Sequence, residues 1–233
     1  MTMPLTPLQL DRREVLRYLG YRGTEIPSSL ENTLRHCMEQ TLHIIQPLYF
    51  YRCFPIIPGE NLVEIGRTGL TLQGKDICRH LSGCGEVYIL CATLGFAIEK
   101  KIRLSFLQKP EEAVIYDACA TEAIEKVADA AEAEIASLCA GRGKGITWRF
   151  SPGYGDLPLE TQQDLIRIMD ASRKIGLSLT DSLLMTPSKS VTAIIGVTAL
   201  PDGPLSRPGE KRNKCDACPN RDRCAFRKRG DQC

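Results

Sequence analysis

Trp148-Arg149-Phe150-Ser151-Pro152-Gly153-Tyr154-Gly155-Asp156-Leu157-Pro158 holds two prolines and two glycines in eleven residues. That content excludes a helix interior and a central strand, because proline withholds an N–H and clashes with the preceding turn. The same stretch concentrates a cation, aromatic rings, a hydroxyl and a carboxylate. Proline stiffens such a loop, and glycine lets a ligand approach its backbone. An ordinary polar connecting loop has the same composition, so the stretch alone leaves both readings open.

Outward from this loop the chain alternates helical and strand patterns. Upstream, Glu111 to Leu138 is the strongest helix, with Val114, Ile115, Ala118, Ile124, Val127, Ala131, Ile135 and Leu138 tracing an apolar stripe. Asp117, Glu122, Glu125 and Glu132 dot it, and charges on helices normally face water. Gly141, Gly143 and Gly145 read as a flexible connector into the loop. Downstream, Leu159 to Ile175 reads as one helix, followed by strands over Thr180–Leu184 and Val191–Val197.

Nearer the N-terminus, Leu10–Leu19 reads as a short helix. A longer one follows, capped by Ser28 or Ser29 and stopped by Pro47. Strands are expected over Tyr49–Ile57, Asn61–Gly66 and Leu70–Leu72, and a short helix over Lys75–Leu81. Val87-Tyr88-Ile89-Leu90-Cys91 is a continuous apolar run of strand length, fitting a buried central strand. Thr93-Leu94-Gly95 then enters a helix over Phe96–Leu107, which Pro110 breaks. A strand ending in this way suits ligand contact through exposed N–H groups, and equally an ordinary tight turn, the reading favoured by the glycine.

The 233 residues, 43% hydrophobic and 25% charged, are those of a folded soluble protein. A net charge of +2 gives no general attraction to nucleic acid. No signal-peptide pattern opens the chain, and the longest apolar run, Val87–Ile98, is too short to span a bilayer. A cytoplasmic, reducing compartment follows as the expectation. Cys37, Cys53, Cys78, Cys84, Cys91, Cys119 and Cys139 then read as small core residues. His36, His43 and His80 are not paired at metal-ligand spacing, and neither a phosphate-binding Gly-Lys-Ser/Thr loop nor a dinucleotide fingerprint occurs.

The last segment is different. From Arg207 onward nine Lys/Arg stand against four Asp/Glu, a net +5 that leaves −3 for the rest. It contains Cys215-x-x-Cys218-x5-Cys224-x8-Cys233, and a Cys-x-x-Cys turn can place two thiolates on one metal. An all-sulfur set of four suits a [4Fe–4S] cluster or structural zinc, the cluster being the preferred reading. Four unligated thiols are the remaining alternative.

Arg149-Phe150-Ser151-Pro152-Gly153-Tyr154, followed by Pro158 and a helix, resembles the activation (reactivation) domain of cobalamin-dependent methionine synthase, which carries an Arg-x-x-Pro-Gly-Tyr loop in this setting. The resemblance continues through Gly176-Leu177-Ser178-Leu179-Thr180-Asp181-Ser182, Met185 and Pro187-Ser188-Lys189-Ser190-Val191. It is carried from about Arg149 to Gly196. With Arg17-Tyr18-Leu19-Gly20-Tyr21 near the start and the cysteines at the end, the chain is similar to stand-alone relatives of that domain in anaerobic bacteria.

The resemblance implies an α+β fold: a C-shaped domain with a twisted antiparallel sheet flanked by helices. It would occupy residues 1–200 (with 1–60 helical plus a strand), and 201–233 would be a linker and a basic, irregular Cys-rich tail. It implies that S-adenosylmethionine presents its methyl group to a corrinoid, regenerating methylcobalamin from inactive cob(II)alamin with an electron from ferredoxin or flavodoxin. Arg149 would pair with the ligand carboxylate, and the backbone around Ser151, Pro152 and Gly153 would hydrogen-bond the ligand. Tyr154 would lie against the ligand or the corrin edge. Glu125, rather than Glu122, would meet the ligand ammonium group. No residue is singled out as catalytic.

Two departures matter. None of the histidines has an Asp two places before it, so the corrinoid-binding Asp-x-His-x-x-Gly is absent, and the corrinoid is expected on a separate methionine synthase or its corrinoid module. Thr186 stands where the family has an aromatic residue after the methionine. Two other functions remain open: a non-catalytic docking or escort protein for a corrinoid protein, and a zinc-tailed interaction protein whose basic end meets an acidic partner or RNA.

Overall fold

The computed structural model describes residues 8–21 and 25–199. The four tail cysteines, with the linker and basic segment around them, lie outside the described residues.

Helix α1 (Arg12–Tyr18) is capped by Asp11, whose carboxylate accepts from Arg13 N–H at 2.8 Å. Helix α2 (Ser28–Ile44) starts one residue earlier than a serine cap requires. Pro27 holds the N-cap position without a side-chain bond, and both serines lie inside the helix. Strands β1 (Leu48–Pro58), β2 (Leu62–Ile65) and β3 (Leu70–Gln73) follow, then α3 (Lys75–His80) and β4 (Cys84–Thr93). Helices α4 (Phe96–Gln108) and α5 (Pro110–Ala140) come next. Pro110 opens α5, a position where its missing N–H costs nothing.

Beyond α5 the observed elements depart from the expected ones. The Gly141–Gly145 stretch is not a mere connector: β5 (Lys144–Ile146) pairs antiparallel with β8 (Ser190–Ala199), with Ile146 opposite Val197. The long helix splits into α6 (Thr161–Met169) and α7 (Ala171–Ile175) at Asp170, which takes the left-handed conformation at φ 56°. No strand forms over Thr180–Leu184. Thr180 N–H bonds Leu184 O at 2.9 Å and Leu184 N–H bonds Thr180 Oγ1 at 3.1 Å, so the segment turns between β6 (Ser178–Leu179) and β7 (Met185–Thr186).

Six strands form one sheet in the order β3-β2-β1-β4-β8-β5, and every pairing whose register is described is antiparallel. The fold is thus mixed α+β, an antiparallel sheet with helices. The described residues divide into two compact units, one of residues up to 51, 90–131 and 165–192, the other of 52–89, 132–164 and 193–199.

In the first unit α5 buries Ala113, Ile115, Tyr116, Cys119, Ala123 and Val127. Its alanines let neighbours approach closely. Glu122 departs from the expected solvated face: it is 3% exposed, accepts from Asp11 N–H at 3.4 Å, and burial raises its pKa. In the second unit Val63, Ile65, Leu72, Ile77, Val87 and Ile89 form the core. Ile89→Ala should destabilise the protein by about 3 kcal/mol in urea unfolding, since the residue is fully buried and leaves a cavity. A loss under 1 kcal/mol would contradict this account of β4.

Cys37, Cys84, Cys91, Cys119 and Cys139 are buried as expected, and burial pushes Cys91 and Cys119 up to about 12. Cys53 and Cys78 are the corrections: Cys53, on β1 next to exposed Arg52, is itself exposed, and Cys78, on α3, is half-buried. Among the described residues no helix is long and apolar enough to cross a membrane, and no group of three or more His, Cys, Asp or Glu is arranged to hold a metal ion.

Candidate functional site

The Trp148–Pro158 stretch is an irregular loop of the second unit, tied to the sheet at its start. Phe150 N–H donates to Ile194 O at 2.9 Å and Ile194 N–H returns to Phe150 O at 2.8 Å. Phe150 and Leu157 are 5% and 2% exposed, and Pro152 is buried with them. Between these anchors the chain turns on itself, with Tyr154 N–H to Ser151 O at 3.0 Å and Gly153 N–H to Leu157 O at 2.9 Å. Gly153 needs its freedom, since its φ is 87°. The turn leaves Tyr154 60% exposed, its ring edge-on to Phe150 at 6.1 Å.

Arg149 is drawn inward. Its Nη1 lies 3.1 Å from Glu132 Oε2 on α5, and the two side chains are 11% and 18% exposed. A half-buried guanidinium with a carboxylate partner is oriented before any ligand arrives. Glu132 was expected among the solvated charges of α5; the fold makes it the partner of Arg149. Nothing in the linear sequence separates it from its neighbours, because the pairing joins residues seventeen apart through the turn at the end of α5.

Below the loop lies α3. Gly74 at its N-cap has no side chain to offer, and Asp156 of the loop takes that role: its carboxylate accepts from Lys75 N–H at 2.6 Å and Asp76 N–H at 3.0 Å. At the other end of α3, His80 lies between Trp148 (4.8 Å) and Phe150 (4.9 Å), with Nε2 at 2.9 Å from Thr147 Oγ1. Burial pushes His80 down to about 4, with the Trp148 backbone opposing in part. Its Nδ1 is buried without a hydrogen-bond partner.

Of the site residues read from sequence, Arg149, Ser151, Pro152, Gly153 and Tyr154 thus share one loop. Glu125 lies on the part of α5 that belongs to the first unit, partly exposed, whereas Glu122 is buried and occupied by Asp11. Also in the first unit, Thr93-Leu94-Gly95 is a tight turn whose N–H groups are spent internally. Leu94 N–H bonds Lys189 O at 3.0 Å and Gly95 N–H bonds Thr93 Oγ1 at 3.2 Å. Lys189 in turn reaches Asp117 at 2.8 Å and Thr121 Oγ1 at 2.9 Å, which fixes the Pro187–Ser190 segment on α5.

Residues 120–200, which include the whole loop, match the family model described as vitamin B12 dependent methionine synthase, activation domain. The chain resembles that activation domain. A solved structure described as the crystal structure of the MetH reactivation domain bound to AdoHcy has the same fold. Its TM-score is 0.64 at 15% identity, over 96% of this chain and 82% of that one. No curated protein matches the chain. The activation-domain match covers α5 from Ala120 through β8, so it spans both Glu132 and Arg149 and every loop residue selected above.

Proposed function

We propose that this chain reactivates the cobalamin of a separate methionine synthase, binding S-adenosylmethionine at the Arg149–Tyr154 loop. The observation that carries the reading is the pre-oriented Arg149–Glu132 pair on the loop that also exposes Tyr154, inside the segment that matches the activation-domain family. The neighbouring fold was solved with AdoHcy, the demethylated form of that ligand. When bound, S-adenosylmethionine supplies a sulfonium methyl group; the partner's cob(II)alamin, given one electron by ferredoxin or flavodoxin, accepts it to yield methylcobalamin and S-adenosylhomocysteine.

The residues suit such a ligand. The guanidinium fork of Arg149 matches a carboxylate in plane and in charge. The exposed face of Tyr154 attracts a cation such as a sulfonium. The backbone around Ser151, Pro152 and Gly153 would contact the ligand. The chain would work in the cytoplasm as residues 1–200, with 201–233 as an added segment. There Cys215, Cys218, Cys224 and Cys233 would hold a [4Fe–4S] cluster or zinc. A cluster would put an electron carrier on the same polypeptide.

The test is anaerobic. Methionine synthase loaded with cob(II)alamin is mixed with the purified chain, S-adenosylmethionine and reduced ferredoxin or flavodoxin, and the cobalamin spectrum is followed. Methylcobalamin formed only when the chain is present supports the reading. The same spectrum with and without the chain removes it.

A further inference from the structure

We infer that α3 is the brace that sets the ligand loop, with Asp156 and His80 as positioning residues at its two ends. This rests on the loop being the S-adenosylmethionine site proposed above. The sequence assigns neither residue a ligand contact: Asp156 is the carboxylate of the loop, and His80 is one of three histidines not paired at metal-ligand spacing.

The geometry is that of one short element gripping a loop at two places. The first helical N–H groups of α3 have no partner within the helix, and Gly74 supplies none. Asp156 satisfies two of them from eighty-one residues away. The two backbones meet so closely there that both glycines are required by space. A Cβ on Gly74 would collide with the Asp156 carboxylate, and a Cβ on Gly155 would lie 2.5 Å from Asp76 Oδ2. At the far end the His80 ring fills the gap between Trp148 and Phe150, the residues flanking Arg149. Thr147, which His80 reaches through Nε2, is itself fixed to β8: it accepts from Gly196 N–H at 2.8 Å and its own N–H donates to Gly196 O at 2.9 Å.

Arg149 and Tyr154 therefore sit between two grips of the same helix, at residues 147–150 and at residue 156. Neither positioning residue needs to touch the ligand. Releasing Asp156 frees the half of the loop that carries Tyr154, and the ordering cost then falls on ligand binding.

The chain reports on this directly, because Trp148 is its only tryptophan. In Asp156→Ala, Trp148 emission should move to the red and acrylamide quenching should rise, with far-UV circular dichroism unchanged. Affinity for S-adenosylhomocysteine, measured by calorimetry well below the melting temperature, should fall about fivefold, the equivalent of one lost helix cap. Asp156→Asn keeps one acceptor oxygen and should recover most of both signals; should the alanine variant unfold, its comparison with wild type decides the matter. A shift in melting temperature with unchanged emission, quenching and affinity would overturn the inference, because that is a structural cap and nothing more. If wild type itself fails to bind S-adenosylhomocysteine, the proposed function is at fault. The emission and quenching comparison, which needs no ligand, still decides whether α3 braces the loop.

Discussion

Arg149→Ala should weaken S-adenosylhomocysteine binding by roughly two orders of magnitude, about 3 kcal/mol, the usual cost of truncating one member of a hydrogen-bonded charge pair. The size follows from the setting. Arg149 is only 11% exposed and already held at 3.1 Å by Glu132, so its order is provided by the fold rather than by the ligand. Its loss also takes the guanidinium away from a carboxylate that is 18% exposed, and that charge would then repel a ligand carboxylate at the loop. Arg149→Lys keeps the charge but not the planar fork and should fall between the two. Glu132→Gln should weaken binding less than Arg149→Ala does, because the guanidinium stays in place. Calorimetry on the four proteins checks this order. Equal affinity in wild type and Arg149→Ala would show that the loop is not the ligand site.

The parts of this molecule that were legible in sequence are those that local chemistry decides. Val87 to Cys91 has the length and continuous apolar character of a buried strand, and the Gly and Pro of Trp148–Pro158 exclude a helix interior and a central strand; both readings hold. The parts that were not legible depend on partners far along the chain. Lys144–Ile146 has a glycine before it and another in its middle, and becomes a strand only because Val197, Thr198 and Ala199 stand opposite it. Asp170 breaks a convincing helical pattern by adopting φ 56°, a conformation that an Asp tolerates and no periodicity announces. The strand expected over Thr180–Leu184 does not form, because the segment carries the turn residues Asp181 and Ser182 and the Thr180 hydroxyl accepts the Leu184 N–H to close a turn.

The same division runs through the site. The residue types of the loop could be read directly, and with them the resemblance that selected Arg149 and Tyr154. What holds the loop could not. Glu132 is one acid among several on a long helix, Asp156 is one polar residue in a polar loop, and His80 is a lone histidine beside two cysteines. Each acquires its role from a contact across many residues of sequence: Glu132 with Arg149, Asp156 with the start of α3, His80 with Trp148 and Phe150.

His80 should make the protein lose about 3 kcal/mol of stability between pH 6.5 and pH 4. Burial against Trp148 and Phe150 lowers its folded pKa from the ordinary 6.5 to about 4. The unfolded chain therefore takes up a proton near pH 6.5 that the folded chain refuses until near pH 4. In that window the unfolded state binds more protons, so stability falls as pH falls, by about 1.4 kcal/mol per unit. The contribution is whole above pH 6.5 and exhausted below about pH 4. Among the described residues no carboxylate lies within hydrogen-bonding distance of the ring to reverse the sign; Nε2 meets the Thr147 hydroxyl, Nδ1 has no hydrogen-bond partner, and the Trp148 backbone opposes the shift only in part. Carboxylates elsewhere also titrate at the acid end, so the measurement is a difference. Urea unfolding of wild type and His80→Gln at pH 7 and pH 4 should show the advantage of wild type shrinking by about 3 kcal/mol, because glutamine takes no proton. An advantage that is the same at both pH values would mean that the His80 ring is accessible to protons in the folded protein, and that Trp148 and Phe150 do not enclose it.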